Sequence, residues 1–234
     1  MELKTMILDL YVDTSRKGIS MALASSGQPE GAQAVYEEIV NTEARGEILG
    51  ESLDTLLKRV GATLDDVKRV MVTLGPGSFS GLRTGVAFCQ GLSFSGKREL
   101  YGVTTLQALA CFAQDAASNA PAGTIASKEC AETAVIIRAR TGFWYLRLNG
   151  EEFFIETPDV VSRIKTAQVK TVVADDAALA DETLKATFDA LGAKTVRDTG
   201  NPLSMWAPLF DTVKPSLIQE ANYIQPSYFE KLKA

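Results

Sequence analysis

The chain contains no histidine in 234 residues. Without that side chain there is no Ser/His/Asp triad, no Cys/His dyad, no imidazole base and no His metal ligand. Much of hydrolase chemistry is thereby excluded. Cysteine is scarce as well: Cys89, Cys111 and Cys130 are odd in number, far apart and without a CxxC pair. That spacing argues against both a disulfide framework and a zinc knuckle and leaves buried free thiols as the expectation. Basic clusters are also missing. The net charge is −5, with Lys and Arg scattered, so the counterion release that drives nucleic-acid binding has no footprint, and RNA binding by this chain alone is disfavoured. No apolar stretch reaches membrane-spanning length, and the opening MELKTMILDLYVDTS lacks the basic and apolar regions of a secretory leader. A cytoplasmic protein with no membrane partner is expected.

What is present is ordinary globular material: 46% hydrophobic and 23% charged residues, enough to bury one large core or two smaller ones. MILDLYVDT, the turn RKG and ISMALAS read as a β-hairpin, with Asp13, Thr14 and Ser15 at its tip. AQAVYEEIV supplies a third strand. Leu49, Leu53, Leu56, Leu57 and Val60 then recur at helical steps before Gly61, predicting a helix over 47–60. TLDDV makes a short helical turn, KRVMVTL a buried strand and residues 81–95 a helix, giving the order βββαβα. The strand-helix pattern restarts near residue 100. The expected domains are residues 1–100, residues 101–215 and a C-terminal tail, 216–234.

Within the second part, a helix capped at Thr104 or Thr105 precedes the strands TAVIIRA, FWYLRLN and EEFFIE. TPDVVSRIKTA reads as a helix with Pro158 near its start, and KTVVADD as a strand. ALADETLKATFDALG reads as one helix closed by Gly192, and PLSMWAPLFDTV as another that Pro208 kinks or shortens.

The stretch GPGSFSGLRTG, residues 75–85, carries the main chemical question. Gly75, Gly77 and Gly81 surround Ser78 and Ser80 at the start of a helix, whose free N–H groups and positive dipole end suit an anion. It is no P-loop, because Leu82 and Arg83 follow Gly81 where a Lys is required, and it misses GxGxxG by one residue. The equally weighted reading is close strand-helix packing. Arg83 in the first helical turn tilts slightly toward an anionic partner. Asp13 with Thr14 and Ser15 could hold a magnesium-bound phosphate or could be an ordinary turn carboxylate. Asp175 and Asp176 could handle a metal, with capping of the next helix the stronger reading. GVAFCQGLSF is apolar on nearly every face and needs cover from something beyond its own sheet, which points to a partner subunit.

MILDLYVDTSRKGISMAL, GPGSFSGLRTGVAFCQGLSF, IIRARTGFWYL and the tail IQPSYF together resemble the TsaB (YeaZ) family. The match is collinear over most of the chain, and the loop-plus-helix block is specific to TsaB and its paralogue TsaD. The resemblance implies an α/β fold of two similar actin-like (ASKHA, ribonuclease H-like) subdomains, each a mixed sheet with flanking helices. It implies a role in forming threonylcarbamoyladenosine on tRNAs that read codons beginning with A. The family member is not the catalyst. It dimerises, or binds TsaD through the same two helices, and the ATPase TsaE joins the pair; tRNA is met only through the complex. No cofactor is required in the chain itself, and ATP or ADP is expected at most at the partner interface. By position that interface uses the helices at 47–60 and 81–95, with Leu49, Leu53, Leu56, Val86 and Leu92 as candidates.

Three departures from the family pattern stand out. Arg45, Gly46 and Glu47 replace a His-(Ser/Ala)-Glu segment, Gly50 stands where Pro is frequent, and Arg138 stands where many members have Asp. The rival reading is a small actin-fold ATPase or kinase that uses Asp13, Thr14 and the 75–83 loop on ATP. A protease acting on the paralogue ranks last, for want of a histidine.

Overall fold

The computed structural model describes residues 7–26, 35–41, 48–117, 132–200 and 203–224. Cys130, Arg45, Gly46, Glu47 and all but the first residue of IQPSYF lie outside them. Two compact units are present. Unit 1 gathers the described residues within Met1–Thr105 and Asn201–Ala221, and unit 2 those within Leu106–Ala120, Thr124–Gly200 and Asn222–Ala234.

Unit 1 is built on β1 (Leu8–Asp13), β2 (Ile19–Ser25), β3 (Val35–Asn41), β4 (Val67–Thr73) and β5 (Glu99–Val103), in the sheet order β3-β2-β1-β4-β5. The first three strands form an antiparallel meander, and β1, β4 and β5 run parallel. β1 is buried along its whole length, as a central strand covered on both faces must be. Helices α1 (Leu49–Val60) and α2 (Phe79–Ser93) follow the expected order. α1 ends where Gly61 turns left-handed at φ +68°, the usual terminal role of glycine. The apolar stripes of both helices pack with β1, β2 and β4 into one core around Leu10, Val12, Leu53, Leu56, Val70, Val86 and Cys89.

Unit 2 repeats the plan with β6 (Thr133–Arg140), β7 (Phe143–Leu148), β8 (Glu151–Glu156), β9 (Thr171–Ala174) and β10 (Lys194–Arg197), in the order β10-β9-β6-β7-β8. Antiparallel β6/β7/β8 and parallel β6/β9/β10 reproduce the pairing of the first sheet strand for strand. The fold class expected from the sequence, two similar mixed-sheet subdomains, is what the structure shows. α4 (Thr157–Thr166), with Pro158 in its first turn, packs on this sheet with α5 (Asp176–Ala180) and α6 (Glu182–Leu191).

Two details differ from the sequence-based expectation. The single helix expected over ALADETLKATFDALG is split, because Asp181 leaves the helical region at ψ 117° and its carboxylate accepts from the Leu184 amide, starting a new helix. β10 gave no sequence signal, because its residues are polar and all but Val196 are exposed; backbone pairing with β9 alone makes it a strand.

The last helix of each half is exchanged. α3 (Thr105–Ala117), which follows β5, is grouped with unit 2, and the 3-10 helix Leu203–Asp211 is grouped with unit 1. There Trp206 and Phe210 meet Tyr11 at ring-centroid distances of 6.4 and 5.7 Å, and Tyr101 meets Phe210 edge-on at 4.8 Å. Arg69 donates two hydrogen bonds to Asp9, at 2.7 and 2.6 Å, with its guanidinium 4.0 Å from the centre of the Phe210 ring. The fully buried Asp9 carboxylate is thus paired with an Arg whose other side an aromatic ring covers.

Cys89 and Cys111 are buried free thiols. Burial pushes the Cys89 thiol well up, and that of Cys111 up to about 12. Both are therefore protonated at neutral pH and shielded. A thiol reagent at pH 7.5 is expected to label neither until the protein unfolds; labelling of the peptides holding Cys89 or Cys111 in native protein would contradict this placement.

Candidate functional site

The hairpin tip and the glycine loop come together at the carboxyl ends of β1 and β4. Asp13 ends β1, and its Oδ1 accepts hydrogen bonds from the Ser15 amide (2.8 Å), the Ser15 hydroxyl (2.6 Å) and the Thr73 hydroxyl (2.8 Å). Arg16 Nε lies 3.9 Å from its other oxygen. This carboxylate organises its own turn and ties it to β4. It is 5% exposed.

The loop is committed to the hairpin in the same way. The Ser78 amide donates to the Ser15 carbonyl at 2.6 Å. A Cβ placed on Gly77 would stand 2.1 Å from that carbonyl oxygen, and one on Gly81 would stand 2.2 Å from the Thr14 carbonyl oxygen. On Gly85, one turn further along α2, a Cβ would stand 2.1 Å from the Thr14 hydroxyl. Glycine is required at all three because the tip of the hairpin lies directly against the start of the helix. The Ser78 side chain caps α2 by accepting from Gly81 N at 3.3 Å. The Gly75 carbonyl accepts from the Thr105 amide at 2.7 Å.

On the Cβ side of Gly77 and Gly81 the space is taken by the Ser15 and Thr14 carbonyl oxygens, whereas Gly77 itself is exposed on its other side. Thr14 does carry a buried hydroxyl without a hydrogen-bond partner, but it faces Gly85, away from the exposed turn. Of the candidate anion contacts only the side chains of Ser78, Ser80 and Arg83 remain at the surface. The Arg83 guanidinium lies 5.5 Å from the centre of the Phe79 ring. Among the described residues no group of three or more His, Cys, Asp or Glu side chains is placed to hold a metal ion. Asp175 is a helix cap, accepting from Ala178 N and from the Arg138 amide, each at 2.8 Å, and Asp176 pairs with Arg197.

The candidate partner residues need correction. Leu49, Leu53, Leu56 and Val86 are between 0 and 6% exposed, and Leu92 packs against the same core. Their periodic stripe is the face turned to the chain's own sheet, and of the five only Leu92 keeps part of its surface open. The open face of α1 is polar, with Glu51, Asp54, Lys58 and Arg59. α1 also begins without a side-chain cap at Ile48, with Gly50 in its first turn. The open face of α2 is different: Ser80, Thr84, Ala87 and Gly91 are small and exposed, and Phe79 and Phe94 stand at either end, 58% and 80% exposed. The sequence signal for this face was the all-round apolar character of GVAFCQGLSF. The two phenylalanines were not singled out, because they lie off the periodic stripe.

Comparison with known proteins finds similarities in sequence and in fold. Residues 40–142 match the family model for TsaD, tRNA N6-adenosine threonylcarbamoyltransferase. The TsaB tRNA threonylcarbamoyladenosine biosynthesis proteins of Escherichia coli and Haemophilus influenzae are 32% and 31% identical over 101 residues. Those residues are 43% of this chain and 42% and 41% of the relatives. The aligned region thus spans less than half the length of the curated relatives. A solved Pseudomonas aeruginosa structure, described as similar to peptidase YeaZ, covers 94% of this chain and is itself covered completely, with a TM-score of 0.64 at 21% identity. Among the described residues no helix is long and apolar enough to cross a membrane. The chain is thus similar in sequence to TsaB (YeaZ) proteins over less than half its length, and shares its fold with the YeaZ-like structure over nearly all of it.

Proposed function

We propose that this chain is an accessory subunit in the formation of threonylcarbamoyladenosine on tRNAs reading codons that begin with A. It pairs with a TsaD-like paralogue through the open face of α2, a TsaE-like ATPase joins the pair, and the assembly works in the cytoplasm. One observation carries the reading. The loop packs the Cβ side of its glycines against the hairpin, while the adjoining helix exposes small residues flanked by Phe79 and Phe94. Small residues let another helix approach closely, and large aromatic rings at the ends supply area to bury. A second copy of the chain would compete for the same face. Any ATP or ADP contact lies at that junction, where Ser80 and Arg83 are exposed, and is not needed for the chain's own fold.

The test is reconstitution. The purified chain is expected to leave tRNA unmodified alone and to restore modification when added to TsaD, TsaE and the enzyme that makes threonylcarbamoyl-adenylate. An absence of stimulation would sink the proposal. Ala87→Arg places a long cation at the centre of the α2 face without touching the core. Gel filtration is expected to show loss of the heteromer with the melting curve of the free chain unchanged. ATP turnover by the isolated chain would instead favour the kinase or ATPase reading.

A further inference from the structure

A second surface lies entirely within unit 2, at the turn joining β6 to β7. The register of that hairpin contains a bulge: Arg138 pairs with Trp144 and Arg140 with Phe143, so Ala139 is passed over. Without the bulge, Arg140 would point to the same side as Arg138, since side chains alternate with a period of two. With it, Arg140 is turned onto the sheet face that carries Phe143, Tyr145 and Phe154. A bulge that re-aims one side chain is a recurring device beside binding sites.

On that face Phe143 and Phe154 are stacked, with centroids 5.1 Å apart and planes within 13°, and Tyr145 leans on Phe154 at 5.7 Å. The Arg140 guanidinium lies 4.1 Å from the Phe143 centroid and 5.6 Å from that of Phe154. Arg140 is exposed while the rings are half-buried, so the planar cation forms the outer layer. Neither Arg138 nor Arg140 is in an ion pair among the described residues, and Glu156, opposite Phe143 in the register, pairs with neither. The Arg138 guanidinium donates to the Thr141 hydroxyl, at 3.3 Å.

We propose that this corner stacks one unpaired base of an RNA on the outer face of Arg140 and holds the adjacent phosphate with the in-plane N–H groups of the same guanidinium. The chemistry is general. A guanidinium laid on an aromatic ring presents a flat cationic surface that stacks with any base, and its in-plane N–H groups match phosphate oxygens. The rest of this acidic chain has no basic track, so the corner supplies one contact to an RNA that a partner already holds. The inference rests on the proposed tRNA-modifying role.

The experiment uses the full chain mixed with its TsaD-like partner and a fluorescein-labelled unmodified tRNA transcript, titrated by anisotropy. Arg140→Ala is expected to weaken tRNA binding about 10-fold, the order reported by removal of a stacking partner. Arg140→Lys, which keeps the charge but not the plane, is expected to be nearly as weak. Heteromer formation by gel filtration and the melting curve are expected to be unchanged in both. Wild-type tRNA affinity in the alanine variant overturns the inference, whether or not its melting point falls. Full rescue by lysine overturns base stacking. Loss of the heteromer assigns the corner to a protein partner and overturns it as well. Should the wild-type heteromer not form, the proposed function fails on its own. Where the heteromer does form, crosslinking of 4-thiouridine-substituted tRNA within it decides this inference separately: crosslinks at 138–156 that vanish in Arg140→Ala support it, and their absence overturns it.

Discussion

Gly81→Ala is expected to cost about 3 kcal/mol or more of stability, because the added methyl would stand 2.2 Å from the Thr14 carbonyl oxygen, a backbone atom that cannot rotate aside. For a chain of this size that is roughly a 6–12 °C fall in melting temperature by circular dichroism. Gly77→Ala meets the Ser15 carbonyl at 2.1 Å and is expected to behave alike. The matched control is Gly91→Ala on the same helix, where nothing lies within 4 Å of the new atom; there alanine is expected to stabilise by about 0.5–1 kcal/mol. Equal melting temperatures for the three variants would mean that the hairpin does not rest on the loop. In the rival nucleotide-binding reading the order would differ: substitution at the loop would abolish ATP binding while leaving an open loop's stability nearly intact.

The second large effect concerns the exchanged 3-10 helix. Phe210→Ala removes a ring that touches Tyr11, Tyr101 and the Arg69 guanidinium together, and is expected to cost about 3–5 kcal/mol. Residues 1–105 expressed alone are expected to aggregate or to melt without a cooperative transition, although they contain all five strands of the first sheet. Joining residues 201–221 to that fragment through a flexible linker is expected to restore cooperative melting. A well-folded 1–105 fragment would refute the role assigned to the segment.

These two regions also show where sequence reading reached and where it stopped. The hairpin, the Leu49–Val60 stripe, the buried strand at Val67–Thr73 and the end of α1 at Gly61 were legible, because each is a local pattern whose period or turn chemistry belongs to one kind of element. The close packing of GPGSFSGLRTG against the hairpin was not. What makes it is the arrival of Thr14 and Ser15 from the other end of the unit, and nothing within the loop encodes that approach. The burial of the expected partner residues escaped the sequence for a related reason. Apolar periodicity marks the face a helix buries, and the chain's own sheet has first claim on it, so Leu49, Leu53, Leu56 and Val86 went inward. β10 was missed because its backbone is recruited by β9 with almost no help from its side chains, and the break at Asp181 because the apolar spacing continues through it. The bulge at Ala139 changes no composition, only the direction of the next side chain.

The exchanged last helix also sets an order of events during synthesis. The first sheet is complete once Val103 has been made, but Trp206 and Phe210, which close over Tyr11 and Tyr101, are translated about a hundred residues later. At cellular elongation rates that is a delay of roughly 5–20 s. For that interval the nascent first unit presents an unfinished aromatic surface, so the N-terminal half cannot mature while still being translated. It becomes native only after the second half has passed through the ribosome.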